Sequence, residues 1–163
     1  MDVLFICKTL PHERVIGGPI IIYNRVRILS QRHNVSLLSF VSPDEWDHVE
    51  TVARYCRDFR GVPMPVYRNP FRKAWDFFFS PIPIYFLNNY SPDMYETLRD
   101  MVGSAHYDVV VSEYSMVAQY LFRNPDLEGP PAAFCEYDLR SKVPQYMIRT
   151  RRFKYIHNQG STD

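Results

Sequence analysis

Four short apolar runs, each followed by a stretch with helical spacing, constrain this chain more than any other feature. Residues 2–7 (DVLFIC), 35–41 (VSLLSFV), 107–111 (YDVVV) and 131–135 (PAAFC) are too short and too continuously apolar for surface strands. Runs of this kind suit strands buried on both faces of a parallel sheet. Between them, apolar residues recur every three or four positions. Ile22, Val26 and Leu29 mark one helix. Trp46, Val49, Ala53 and Cys56 mark the inner face of a second, opened by Ser42-Pro43-Asp44-Glu45. Met94, Leu98, Met101 and Ala105 mark a third, opened by Ser91-Pro92-Asp93, and residues 115–122 a fourth. A cap residue followed by proline and an acid is a helix start with a physical cause: proline has no donor to lose there. A weaker strand over 62–67, interrupted by Pro63 and Pro65, belongs at a sheet edge. Alternating strands and helices predict an α/β fold, a Rossmann-like parallel sheet with helices on both faces, within one domain over 1–163.

Composition narrows the class. The 163 residues are 46% hydrophobic, enough for a core, and the net charge is only +1. No apolar stretch approaches the ~20 residues a membrane helix needs. The start lacks the basic and apolar regions of a signal peptide, so a cytoplasmic chain is expected. Cys7, Cys56 and Cys135 are odd in number, far apart and without a CxxC pair, which predicts reduced thiols and no metal site. Nothing in the charge distribution calls for a nucleic-acid partner. The tail is basic: Arg140, Lys142, Arg149, Arg151, Arg152 and Lys154 occur with no acid among them. Such a tail fits phosphate, an anionic lipid surface or another domain, and equally a solvated helix end.

Ligands of parallel sheets collect beyond the carboxyl ends of the strands. Three segments fall there: the loop 8–18, the turn at Ser112-Glu113-Tyr114 and the turn 136–141. Gly17 and Gly18 precede a helix, so their amides can approach a phosphate, or they serve a turn that needs positive φ. Glu113 and Asp138 can act as paired carboxylates toward sugar hydroxyls or as helix caps. The segment 68–90, from Arg68 to Tyr90, holds Phe71, Trp75, Phe77, Phe78, Phe79, Tyr85 and Phe86 beside Arg72 and Lys73. It suits a membrane interface, a hydrophobic acceptor groove, or a helix and loop folded over the core. Its density of aromatics beside cations predicts a surface position.

In order, these motifs resemble the N-terminal domain of GT-B-fold glycosyltransferases, specifically the retaining, nucleotide-sugar-dependent family four. The resemblance rests on Gly17-Gly18 followed by Asn24-Arg25, Leu29 and His33-Asn34-Val35, and on Tyr90-Ser91-Pro92-Asp93-Met94. It rests further on residues 107–115, and on Glu136-Tyr137-Asp138-Leu139-Arg140-Ser141 before a basic helix. It spans nearly the whole chain. The family often has His just before the Asp138 position, where this chain has Glu136-Tyr137. The resemblance implies the acceptor-binding half of an enzyme whose C-terminal nucleotide-sugar domain is absent from this chain. It implies Gly17 and Gly18 toward the donor diphosphate and Glu113 and Asp138 as catalytic carboxylates. Glu136, Tyr137, Arg140 and Ser141 would meet a saccharide or lipid-linked acceptor. No cofactor or metal would be bound by this domain alone, and the isolated domain would be inactive. Place of action would be cytoplasmic, with peripheral contact at the inner face of the membrane through 68–90. The alternative is a non-catalytic Rossmann-like module that docks on a membrane or partner. A third reading is another enzyme on a related fold, such as a nucleotide-sugar epimerase.

Overall fold

The structure, a computed structural model, describes residues 1–66, 71, 75, 78, 79, 84–121, 124–127 and 130–135. Asp138, Glu136, Tyr137, Arg140, Ser141 and the basic tail lie outside the described residues.

Strand β1 (Asp2–Cys7) leads through a loop to helix α1 (Gly18–Leu29) and strand β2 (Asn34–Val41). A single 3₁₀ turn (Trp46–His48) and α2 (Val49–Ala53) precede β3 (Asp58–Pro63). Further on come α3 (Ile84–Leu87), α4 (Pro92–Ser104), β4 (Val109–Glu113), α5 (Ser115–Ala118) and β5 (Ala132–Cys135). The strands form one sheet in the order β3-β2-β1-β4-β5, and every pair is parallel. This is the α/β, Rossmann-like arrangement expected.

The apolar runs behave as predicted because both faces of the sheet are covered. In β1, every residue from Val3 to Cys7 is buried, and in β2 every residue from Val35 to Val41. Alternate side chains enter opposite cores. Val3, Phe5, Cys7, Val35, Leu37 and Val41 pack with Ile22, Tyr23 and Val26 of α1 and Val52 of α2. Leu4, Ile6, Leu38, Phe40 and Val110 pack with Met94, Leu98 and Met101 of α4 and with Val117 and Tyr120. Tyr120 ties its core to the start of α4. Its hydroxyl donates to the Asn89 carbonyl (2.7 Å) and accepts from the Ser91 N–H (2.8 Å). Burial pushes its phenol pKa up.

The second helix and the third strand differ from expectation. Ser42 does not open a helix at once: its N–H donates to Glu45 Oε2 (3.0 Å) across a turn, and the α-helix begins only at Val49. Val49 and Cys56 of the expected inner face pack against the core beside the fully buried Val52, while Trp46 is exposed and lays its ring against Gly61 of the edge strand. Strand β3 occupies 58–63 rather than 62–67. Its register, Ser36↔Asp58 through Val41↔Pro63, is set by pairing with the strongly apolar β2. Pro63 ends it, so proline terminates this edge strand and does not interrupt it.

At the amino ends of the strands, Asp2 collects polar partners. Its N–H donates to Asp108 Oδ2 (2.7 Å), and its carboxylate meets Arg57 and Asn34. The Asp2 N–H, more than any other neighbour, holds the Asp108 carboxyl below its ordinary pKa. This edge is closed by structural pairs, and the carboxyl edge is where the described geometry is unusual. Among the described residues, no helix is long and apolar enough to cross a membrane.

Candidate functional site

Chain direction reverses between β1 and β4. From β1 the chain runs through α1 on one face to β2; from β3 it returns through α4 on the other face to β4. Adjacent crossovers diverge at the carboxyl ends of β1 and β4, and a crevice there is the usual ligand position of an open parallel sheet.

Two backbone positions at this edge have positive φ. Gly17 has φ 78° and is the residue before α1. A Cβ there would meet nothing within 4 Å, so glycine is required by conformation and not by space. Tyr114, immediately after β4, has φ 82° and ψ 141°, a region that residues other than glycine seldom enter. Three hydrogen bonds hold it there. The Tyr114 N–H donates to the Cys135 carbonyl (2.8 Å), and its own carbonyl accepts from Ser112 Oγ (3.1 Å) and the Val117 N–H (3.3 Å).

Tyr114 reaches the residue after Gly17. A Cβ on Gly18 would overlap the Tyr114 hydroxyl. Gly18 is therefore glycine for close approach of the β4 turn, a different reason from Gly17. We expect Gly18→Ala to cost ~1–2 kcal/mol in urea unfolding, as crowding of a packed site does. In a Tyr114→Ala background the same change is expected to be nearly free. Strictly additive losses in this double-mutant cycle would show that the two residues do not touch. A substitution at Gly18 thus disturbs the Tyr114 turn before it reaches any ligand, so it does not leave the local fold untouched.

Beneath this edge of the sheet lies a charge pair. Glu113 is the last residue of β4, in register with Cys7 of β1 and Cys135 of β5, so the three side chains share one face of the sheet. Arg25, two turns into α1 from Gly18, pairs with Glu113 and also reaches Cys135 Sγ (3.4 Å). The Glu113 side chain is 0% exposed and that of Arg25 33%. Glu113 is thus neither a helix cap nor a surface carboxylate. It fixes the guanidinium of Arg25 from below, and Arg25 carries the pair toward the edge of the sheet. Cys7 is fully buried. Burial first, then the negative charge of Glu113, pushes its thiol pKa well up, and Arg25 opposes this. The Cys56 thiol is pushed up to about 12 by burial.

The loop 8–18 holds a second cluster. His12 is buried and stacks on His48, with ring centroids 4.6 Å apart. Its pKa is lowered by burial first and by His48 next. Among the described residues, no group of three His, Cys, Asp or Glu side chains could hold a metal ion.

A separate concavity of about 610 Å³ lies at the β5 edge, lined by Phe86, Ala118, Gln119, Leu121, Ala132 and Phe134 among others. The Gln119 amide is committed to the carbonyls of Phe86, Asn89 and Met116 (3.2, 3.3 and 2.7 Å). The surface is largely apolar, unlike the edge of β1 and β4, where a glycine pair and an ion pair lie.

Of the sequence candidates, Gly17, Gly18 and Glu113 come together at this edge, while Asp138, Glu136, Tyr137, Arg140 and Ser141 lie outside the described residues. Arg25 and Tyr114 belonged to the motifs but carried no assigned role. The spacing of Arg25 from Gly18, seven residues along a helix, could have placed it on the same face. Nothing in the sequence signals the positive φ of Tyr114.

No family model matches the chain, and no curated protein matches it. Among solved structures it is similar to the C-terminal domain of a hydrogenase from Pyrococcus furiosus, at 13% identity and a TM-score of 0.52, covering 82% of this chain and 88% of that one. At that identity the likeness concerns the fold alone.

Proposed function

We propose that this chain is the acceptor-binding N-terminal half of a retaining, nucleotide-sugar-dependent GT-B glycosyltransferase. One observation carries the reading: Gly17, Gly18, Tyr114 and the Arg25–Glu113 pair converge at the switch point between β1 and β4, on the motifs that resemble the family. Gly17 is exposed and opens a twelve-residue helix. Its amide and those of the first turn offer partial positive charge to the donor diphosphate, which a second domain would present. Such preorganised dipoles act where charge develops as the diphosphate leaves. Glu113 is a positioning residue in this scheme, because its carboxylate is buried against Arg25. Asp138 remains the proposed catalytic carboxylate. Glu136, Tyr137, Arg140 and Ser141 take acceptor hydroxyls or anionic groups, Arg140 by a bidentate contact. A cytoplasmic place of action belongs to the same proposal.

The test is sugar transfer from a panel of nucleotide sugars to saccharide and lipid-linked acceptors. It is run with this chain alone and with the whole polypeptide encoded by its gene. We expect no turnover by the chain alone and transfer with retained anomeric configuration by the whole protein. Robust nucleotide-sugar turnover by the 163 residues alone, or inversion by the whole protein, would remove the proposal.

A further inference from the structure

Phe71, Trp75, Phe78 and Phe79 all have helical backbone. Their spacing, i, i+4, i+7 and i+8, places them on one face of a helix. All four are exposed: Phe71 86%, Trp75 64%, Phe78 74% and Phe79 66%. Trp75 and Phe79 touch at one turn's distance, their ring centroids 4.4 Å apart, and Phe78 and Phe79 are 6.5 Å apart. Trp75, Phe78 and Phe79 thus form a continuous exposed patch, with Phe71 exposed one turn before it. Burial of the same residue types elsewhere, such as Phe5 and Phe40, shows that the chain had apolar cores in which to place aromatics.

We infer that this stripe is a membrane-interface element that seats the protein on an anionic lipid surface. Two observations select a bilayer over another protein surface. The stripe is built wholly of Phe and Trp, and ring-bearing side chains, Trp above all, favour the headgroup level of a bilayer. The sequence also supplies charge of the right sign. Arg68, Arg72 and Lys73 flank Phe71 along the sequence, and Asp76 is the only acid from Arg68 to Tyr90. Aromatics beside cations combine apolar insertion with attraction to anionic headgroups, and each basic residue adds its share near a charged leaflet. No spanning helix is involved. This inference stands independently of the glycosyltransferase reading.

Trp75 reports on its own insertion once Trp46, the other tryptophan, is replaced by phenylalanine. The full chain carrying Trp46→Phe is mixed with vesicles of phosphatidylcholine alone and of phosphatidylcholine with phosphatidylglycerol. We expect a blue shift of Trp75 emission and quenching by bromolipids with the anionic vesicles, weaker with neutral ones and reduced by salt. Phe78→Ser with Phe79→Ser should lower the partition coefficient by about tenfold or more, since two apolar rings are lost from the interface. The thermal midpoint should stay unchanged, because both rings are exposed. Three results would each overturn the inference. One is no Trp75 response to either vesicle. Another is equal partitioning with and without the two serines. The third is a concentration-dependent dimer that the serines abolish.

Discussion

Replacing Arg25 by alanine is expected to destabilise the chain by about 3–5 kcal/mol, a large share of the ~5–15 kcal/mol that holds a domain together. The reason is the environment of its partner. Glu113 is wholly inaccessible, at the carboxyl end of a central strand, and Arg25 supplies the opposing charge. Removing the cation takes an opposing charge away from a fully buried carboxylate. Replacing both residues, as Arg25→Met with Glu113→Met, is expected to recover most of the loss, because an apolar pair of similar volume removes the desolvation cost together with the attraction. Urea unfolding of the two variants measures both quantities. An Arg25→Ala loss below about 1 kcal/mol would place the pair among weak surface bridges and end its positioning role.

A second contrast uses one substitution at two sites. Phe40 is fully buried in β2, with its ring set edge-on to Tyr120 at 6.4 Å. Phe40→Ala is expected to cost ~3–5 kcal/mol through lost transfer energy and the cavity left in a sheet packed on both faces. Phe78→Ala, at an exposed position, is expected to fall within about 0.5 kcal/mol of the parent. Comparable losses at the two sites would mean that the aromatic stripe belongs to the core, contrary to its exposure.

Why these two phenylalanines differ is not visible in their local sequence. SFV around Phe40 and FFF around Phe78 are both apolar. Length and alternation distinguish them: a seven-residue apolar run can be buried on both faces of a sheet, whereas a run bordered by Arg72, Lys73 and Asp76 cannot be buried whole without stranding charge. For the same reason the surface position of Phe71, Trp75, Phe78 and Phe79 was legible in advance, whereas Phe86 near the end of the same segment is half-buried and Asn89 is buried.

The two misplacements have different causes: β3 took its register from a tertiary neighbour, and the helix after Ser42 was delayed by a local turn. The residues of β3 include no strong apolar run, so its register came from β2. The Ser42-Pro43 start resembled the one at Ser91-Pro92, yet only the latter opens a helix directly. At Ser91 the N–H is taken by the hydroxyl of Tyr120, a residue 29 positions away. At Ser42 it is taken by Glu45, three residues on, within a turn.

By itself, the sequence determined the class of fold, the parallel sense of the sheet, the two-sided burial of β1 and β2, and the edge at which Gly17, Gly18 and Glu113 lie. Those follow from periodicity and from the positions of proline and glycine, which act over a few residues. Only the tertiary structure decided that Glu113 is an internal anion held by Arg25, that Gly18 is small because Tyr114 lies against it, and that Tyr114 is held at positive φ. Each of these joins residues 88 or more positions apart or rests on bonds from a neighbouring strand, and no local pattern encodes a contact made only when β1, β4 and β5 align.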